Sequence, residues 1–151
     1  MLDDVDRRLV RQLQNDPEAT TSALAGRAGV SPQLAARRMD RLRREGILRG
    51  QHARIDWTKL GYEVAVSLRF TLDKTDPRAL DSFIEAAREV PEVIEIQTFL
   101  GRVDVRLSVI ARDLADYHRL YRSRILPLPH IADIEALMQV ATLKADEKVP
   151  L

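Results

Sequence analysis

The four residues Gly29-Val30-Ser31-Pro32 constrain this chain more than any others. Glycine supplies the positive φ that a tight turn between two helices needs. Serine is a preferred helix N-cap, and proline fits the first helical position because the N–H it lacks has no partner there. The spacing predicts a short helix ending near Ala28, a turn, and a second helix that Gly46 stops. A capped helix set against another by a glycine turn is the geometry of a helix-turn-helix that reads the major groove.

The faces of the helix that follows Ser31 differ in chemistry. Ala35, Met39 and Leu42 recur at i, i+4 and i+7 and form a buried stripe. Gln33, Leu34, Arg37, Arg41 and Arg44 fall on other faces, with Arg38 at the boundary. From Leu34 to Arg54 there are seven arginines against two acids, too unbalanced for an ordinary solvated face. The chain as a whole carries only +1, with 11 basic and 8 acidic residues over 1–56 and 13 and 15 over 57–151. Local clustering therefore carries the nucleic-acid reading, and overall charge does not. Arginine reads guanine and glutamine reads adenine bidentately, so Gln33, Arg37 and Arg41 are base-edge candidates, with Leu34 against a thymine methyl. Arg38, Arg43, Arg44 and Arg49 are phosphate candidates, beside the Ser31 cap. For Arg43 and Arg44 the alternative is a solvated or acid-paired arginine, for Arg38 a bond inside its own domain, and for Leu34 an exposed leucine.

The chain's 151 residues suffice for two small domains, and a hydrophobic content of 45% can bury a core. No cysteine is present, so disulfides and thiolate metal sites are excluded. His52, His118 and His130 are scattered without ligand spacing, which predicts no metal site. Neither a phosphate-cradling glycine loop nor a nucleophile motif occurs, so catalytic residues and cofactors are not expected. No apolar run reaches the length of a membrane span. Met1-Leu2-Asp3-Asp4 is acidic and enters a helical pattern, unlike a signal peptide, and the expected location is the cytoplasm.

Hydrophobic spacing predicts two domains. Leu2, Val5, Leu9 and Leu13 mark a first helix, Thr20 or Thr21 caps a second, and a wing-like strand follows the third over 47–55. Residues 1–56 are thus a winged-type helix-turn-helix, and 57–62 a linker. The rest, 63–151, reads as strand, helix, strand, strand, helix, strand: an α+β, ferredoxin-like βαββαβ domain. Its first helix, opened by Pro77, carries Leu80, Phe83, Ile84 and Ala87, and its last strand extends from 131 to about 143. One face of the sheet is expected to lie free of its own helices and to carry Val, Leu and Phe, which predicts self-association.

The whole chain resembles the Lrp/AsnC transcription regulators. The resemblance rests on Leu2-Asp3, Asp6, Leu9 and Leu13, on Leu24-Ala25 with Gly29-Val30-Ser31, and on Arg38, Arg41-Leu42 and Gly46-Ile47. In the second half it rests on Pro91-Glu92-Val93, Gly101 with Asp104, Tyr117, and Leu128-Pro129. The chain departs from the family at Arg102 and Val103, often an acid and an aromatic there, and at His130, often glycine. The resemblance implies an N-terminal DNA-binding domain and a C-terminal domain that binds a small effector, commonly an amino acid, and builds dimers and higher oligomers such as tetramers or octamers. It also places Leu137, Met138 and Gln139 near the effector, where core or interface packing is the competing reading.

The turn Gly101-Arg102-Val103-Asp104 offers both charges beside an open backbone. Asp104 either accepts a ligand ammonium or bonds backbone N–H groups of the turn. The expected effector site is Gly101, Arg102, Asp104, Leu137 and Gln139. Siroheme decarboxylases share the two-domain plan but carry a histidine and tyrosine signature before the central turn. Ile94-Glu95-Ile96-Gln97-Thr98-Phe99-Leu100 holds neither, which argues against an enzyme. The expectation is a sequence-specific regulator binding double-stranded DNA and a small effector. The alternative is an effector-independent architectural DNA-binding protein of the same fold.

Overall fold

In the computed structural model, which describes residues 1–145 and 148–151, the chain opens on a reciprocal cap. The Asp6 N–H donates to the Asp3 carboxylate (2.9 Å) and the Asp3 N–H donates to the Asp6 carboxylate (3.0 Å). This satisfies two of the donors that every helix start leaves unpaired and begins α1 (Asp4–Asn15). Thr20, whose hydroxyl accepts the Ala23 N–H (3.2 Å), starts α2 (Thr21–Ala28). Gly29 then takes φ +69, a left-handed conformation that glycine adopts without steric penalty, and turns the chain. Ser31 caps α3 (Pro32–Arg44) by accepting the Leu34 N–H at 3.2 Å, with Pro32 in the first turn. Leu9, Leu24, Ala25, Ala28, Ala35, Met39 and Leu42 close a core between the three helices.

The chain divides into two units, Met1–Arg54 with Lys144–Leu151, and Ile55–Leu143. Two expectations change in the first. Residues 47–55, read as a wing-like strand, form no strand, because extended backbone becomes a strand only beside a ladder partner. Residues 144–151, assigned to the second domain, join the first unit, although 146–147 lie outside the described residues. The Gln14 side chain donates to the Val149 carbonyl (3.2 Å) and accepts the Val149 N–H (2.5 Å). Arg11 donates twice to the Leu151 carbonyl, at 2.9 and 2.6 Å.

The second unit starts, after a short 3-10 turn over Trp57–Leu60, with β1 (Val64–Leu72) and α4 (Ala79–Arg88). Then come β2 (Val93–Thr98), β3 (Val105–Ala111), α5 (Leu114–Leu120) and β4 (Ile131–Met138). The sheet is antiparallel in the order β2-β3-β1-β4, the ferredoxin-like topology. The register pairs Val66 with Val109, Leu68 with Leu107 and Phe70 with Val105. All six are buried against Phe83, Ala87, Leu120 and Ile125, with the Phe70 and Phe83 rings 4.8 Å apart. Because α4 starts at Ala79, that alanine is buried and Leu80 stays exposed. One π-helical turn, Tyr121–Ile125, continues α5, and β4 ends at Met138, short of the expected 143.

The expected apolar open face is also corrected. Successive strand side chains alternate between faces, and the helices take the Val, Leu and Phe set. The other face is mostly polar, with Ser67, Arg69 and Thr71 of β1 alternating against the buried set and Arg106 and Ser108 of β3 opposite them. Arg106 pairs with Glu95 at 3.0 Å, Ser108 donates to the same carboxylate at 3.1 Å, and Arg69 pairs with Glu135 at 3.5 Å.

Gln14→Ala should detach the 148–151 segment from α1. The expected outcome is faster hydrogen exchange at the Val149 amide and a loss of about 1 kcal/mol or less from the first unit, since these bonds are exposed. Unchanged exchange at Val149 would contradict the docking.

Candidate functional site

Helical geometry sorts the arginines of α3 into two groups. Gln33, Arg37 and Arg44 lie close together in projection, opposite the buried stripe of Ala35, Met39 and Leu42. All three are exposed, and Arg37, Arg44 and Arg49 pair with no carboxylate among the described residues. Leu34 is half-buried beside them, and Ser31 stays exposed while its oxygen caps the helix. Arg43 is exposed and pairs with Asp40 at 3.0 Å, so its phosphate role competes with a local partner. Arg43 and Arg49 flank a cleft of about 350 Å³ over Leu13 and Leu48.

Arg38 and Arg41 belong to the second group, on the flank towards α1. Asp6 is fully buried, and its carboxylate is met by Arg41 and, at 3.4 Å, by Arg38. Arg38 also reaches Asp3 at 2.6 Å, and Arg41 lies 3.7 Å from Glu45. Arg41, expected to read a base edge, therefore anchors α3 on α1, and Arg38 takes the intradomain role instead of lying free for phosphate. A buried carboxylate is stable only with compensating charge and hydrogen bonds, and these two arginines with the Asp3 N–H supply them. The Asp6 N–H, helped by Arg38, holds the Asp3 carboxyl below its ordinary value against a smaller desolvation effect. The charge pattern of α3 by itself gives Asp6 no such role. The signal was present, because Asp6 lies four residues after Leu2 and three before Leu9, on the apolar stripe itself.

In the second unit the expected effector residues separate. Gly101 takes φ +152, which favours glycine, and the exposed Arg102 follows it. The Arg102 carbonyl accepts from the Thr71 hydroxyl at 3.0 Å. Asp104 has both carboxylate oxygens engaged: one accepts the Leu72 N–H (2.8 Å) and the other meets the Lys74 ammonium (2.8 Å). Its backbone N–H donates to Phe70 and its carbonyl accepts from Phe99, which closes the turn. Desolvation pushes the Asp104 pKa up, but the Leu72 N–H and Lys74 together outweigh it and hold the carboxyl below 3.8.

Leu137 pairs opposite Ser67, and the Gln139 N–H donates to the Ala65 carbonyl at 2.8 Å. The Gln139 side chain turns to the Thr142 hydroxyl. The turn bonds Thr71 and Leu72, so the two groups are separated by four to seven residues of β1. At the rise of a strand this is roughly 13–23 Å. One chain does not bring the five expected effector residues into a single site.

Among the described residues no helix is long and apolar enough to cross a membrane, and no group of side chains could hold a metal ion. The family model described as AsnC-type helix-turn-helix domain matches residues 2–43, and that of the Lrp/AsnC ligand binding domain matches 65–149. The proline dehydrogenase transcriptional activator of Rhodobacter capsulatus is 30% identical over 132 residues, covering 87% of this chain and 86% of that protein. The leucine-responsive regulatory protein of Escherichia coli strain K12 is 26% identical over 148 residues, covering 98% and 90%. The crystal structure of an AsnC family transcriptional regulator from Agrobacterium tumefaciens superposes with a TM-score of 0.88 at 28% identity, covering 99% of this chain and 97% of that one.

Arg41→Ala should lower stability by about 3–5 kcal/mol by leaving the Asp6 charge short of a partner. Arg37→Ala should leave it within about 0.5 kcal/mol, and equal unfolding midpoints for the two variants would contradict the division of α3. The stability that Asp104 contributes should also depend on pH. Its folded pKa is depressed, so the difference between the parent and Asp104→Ala should be complete above 3.8 and shrink as pH falls through the lower folded value. Denaturant titrations at several pH values check this.

Proposed function

From the premise that the chain belongs to the Lrp/AsnC family of transcriptional regulators, we propose that its α3 reads DNA with Gln33, Arg37 and Arg44. Regulation of transcription through DNA binding and response to a small effector come with the family. The choice of residues is ours, and the observation that carries it is the exposed stripe free of carboxylate partners among the described residues. Gln33 and Arg37 are positioned for base edges, while Arg44 and Arg49 are placed for phosphates. Ser31 and Leu34 complete the contact surface at the start of the helix. The protein acts in the cytoplasm as a regulator and uses no covalent chemistry.

The proposed effector is an amino acid or a related small acid, in keeping with the relatives' names, which carry proline dehydrogenase and leucine. Arg102 and the turn N–H groups take its carboxylate. Its ammonium takes the place at Asp104 that Lys74 occupies, since that exposed lysine can swing clear. Leu137 and Gln139 complete the site from a second copy, because one chain holds them too far from the turn. Dimers, and tetramers or octamers built from them, follow from this sharing of the site. A two-fold dimer in turn calls for a roughly palindromic operator.

Selection from random duplexes, followed by titration, tests the DNA reading. Arg37→Ala should cost about 1–3 kcal/mol on the selected site and relax preference at one base position. An unchanged preference would refute the assignment. Calorimetry against the twenty amino acids and common 2-oxo acids tests the effector reading. Lys74→Ala should tighten binding of the responsive ligand and Asp104→Ala should abolish it, and a ligand indifferent to both changes would move the site elsewhere.

A further inference from the structure

Seven arginines within 21 residues raise a problem that the DNA-binding reading leaves open. Each guanidinium on a phosphate strengthens binding to every sequence alike and steepens its dependence on salt. A regulator needs the opposite, a large ratio between its site and the rest of the genome. We propose that Asp3 and Asp6 are specificity-determining residues: they hold Arg38 and Arg41 in intramolecular ion pairs and so withhold two charges of α3 from DNA phosphates. This rests on the DNA-binding reading above.

The two pairs differ in accessibility. Asp6 has no exposed surface, so no phosphate can compete at its side of the contact. The Arg38–Asp3 pair reaches the surface, with the side chains 23% and 47% exposed and 2.6 Å between them. There the Asp3 carboxylate meets the guanidinium in the way a phosphate oxygen would. The Asp3 carboxylate is ionised at neutral pH, and the Asp6 N–H holds it in place beside Arg38, so the restraint is present whenever the protein searches DNA. Arg37, two positions from both Ala35 and Met39 and without such a partner among the described residues, is left to read sequence.

Asp3→Asn separates the charge from the cap. Asparagine caps a helix as well as aspartate does, so α1 should still form. The variant should bind unselected duplex more tightly at low salt, with a salt dependence steeper by about one unit of log K per log salt. Between about 50 and 200 mM salt this is a further loss of roughly fourfold, and the ratio of selected to unselected affinity should fall. Asp6→Asn should move both quantities the same way if it folds, and Asp3→Asn stands without it. Asp4→Asn removes the same charge from an exposed neighbour that pairs with no arginine among the described residues, and should leave the slope unchanged. In an Arg38→Ala background, Asp3→Asn should have no effect on the slope. An unchanged slope in Asp3→Asn with duplex binding intact overturns the proposal, as does an equal change in Asp4→Asn or one that survives in Arg38→Ala. If the parent binds no duplex, the DNA-binding reading fails and this proposal with it.

Discussion

A carboxylate without access to water sits between the first and third helices, and the geometry of the DNA-binding unit depends on it. Asp6 accepts a backbone N–H from its own helix start and guanidinium groups from Arg38 and Arg41. Apolar contacts between α1 and α3 are non-directional and tolerate sliding or rotation. A buried charge tolerates neither, because any displacement that breaks its pairing exposes it to a desolvation penalty without compensation. Asp6 therefore fixes the rotation of α3 about its own axis. That rotation decides which side chains face outward, and the result is Gln33, Arg37 and Arg44.

The connectivity of the chain adds a second constraint on the same helix pair. The chain leaves the first unit after Arg54 and returns to it at Lys144, so two covalent connections join the units. The returning segment bonds to α1 through Arg11 and Gln14, one to two turns beyond Asp6. Helix α1 thus holds α3 with its first turn and the returning segment with its last two. A ligand acts only through a difference in its affinity for two states. In this chain the second unit has two chain connections to the first, one of which begins six residues after the end of β4.

Much of this was legible in the sequence, and the boundary of legibility is physical. The caps at Thr20 and Ser31, the left-handed Gly29 and the antiparallel order of four strands depend on short-range chemistry or strict alternation. The strand expected over 47–55 depended on a partner that local alternation does not supply. Alternation also defined two faces of the sheet without saying which one the helices would cover. The Val, Leu and Phe set went to the helices because that exchange buries the most apolar surface, leaving Arg69, Arg106, Glu95 and Glu135 on the open side. Charge counting found the basic cluster but not its internal partners, since it treats Asp6 and Arg41, 35 residues apart, as independent.

The second unit shows the same difference between composition and arrangement. Gly101, Arg102, Asp104, Leu137 and Gln139 are chemically suited to an amino acid, yet β1 separates them by several residues of its length. Asp104 is a structural residue first, because its two oxygens join the end of β1 to the turn and satisfy a backbone N–H that would otherwise go unpaired. Lys74 on the second oxygen shows that the position accommodates an ammonium group. A ligand that replaces this lysine would keep the charge balance of the turn while freeing a flexible side chain. It would therefore change what the turn presents to a neighbouring molecule without unfolding the turn itself. Bonded on both sides, Asp104 gives the turn a rigid backbone frame and an exchangeable cation, which is the combination the proposed effector site uses.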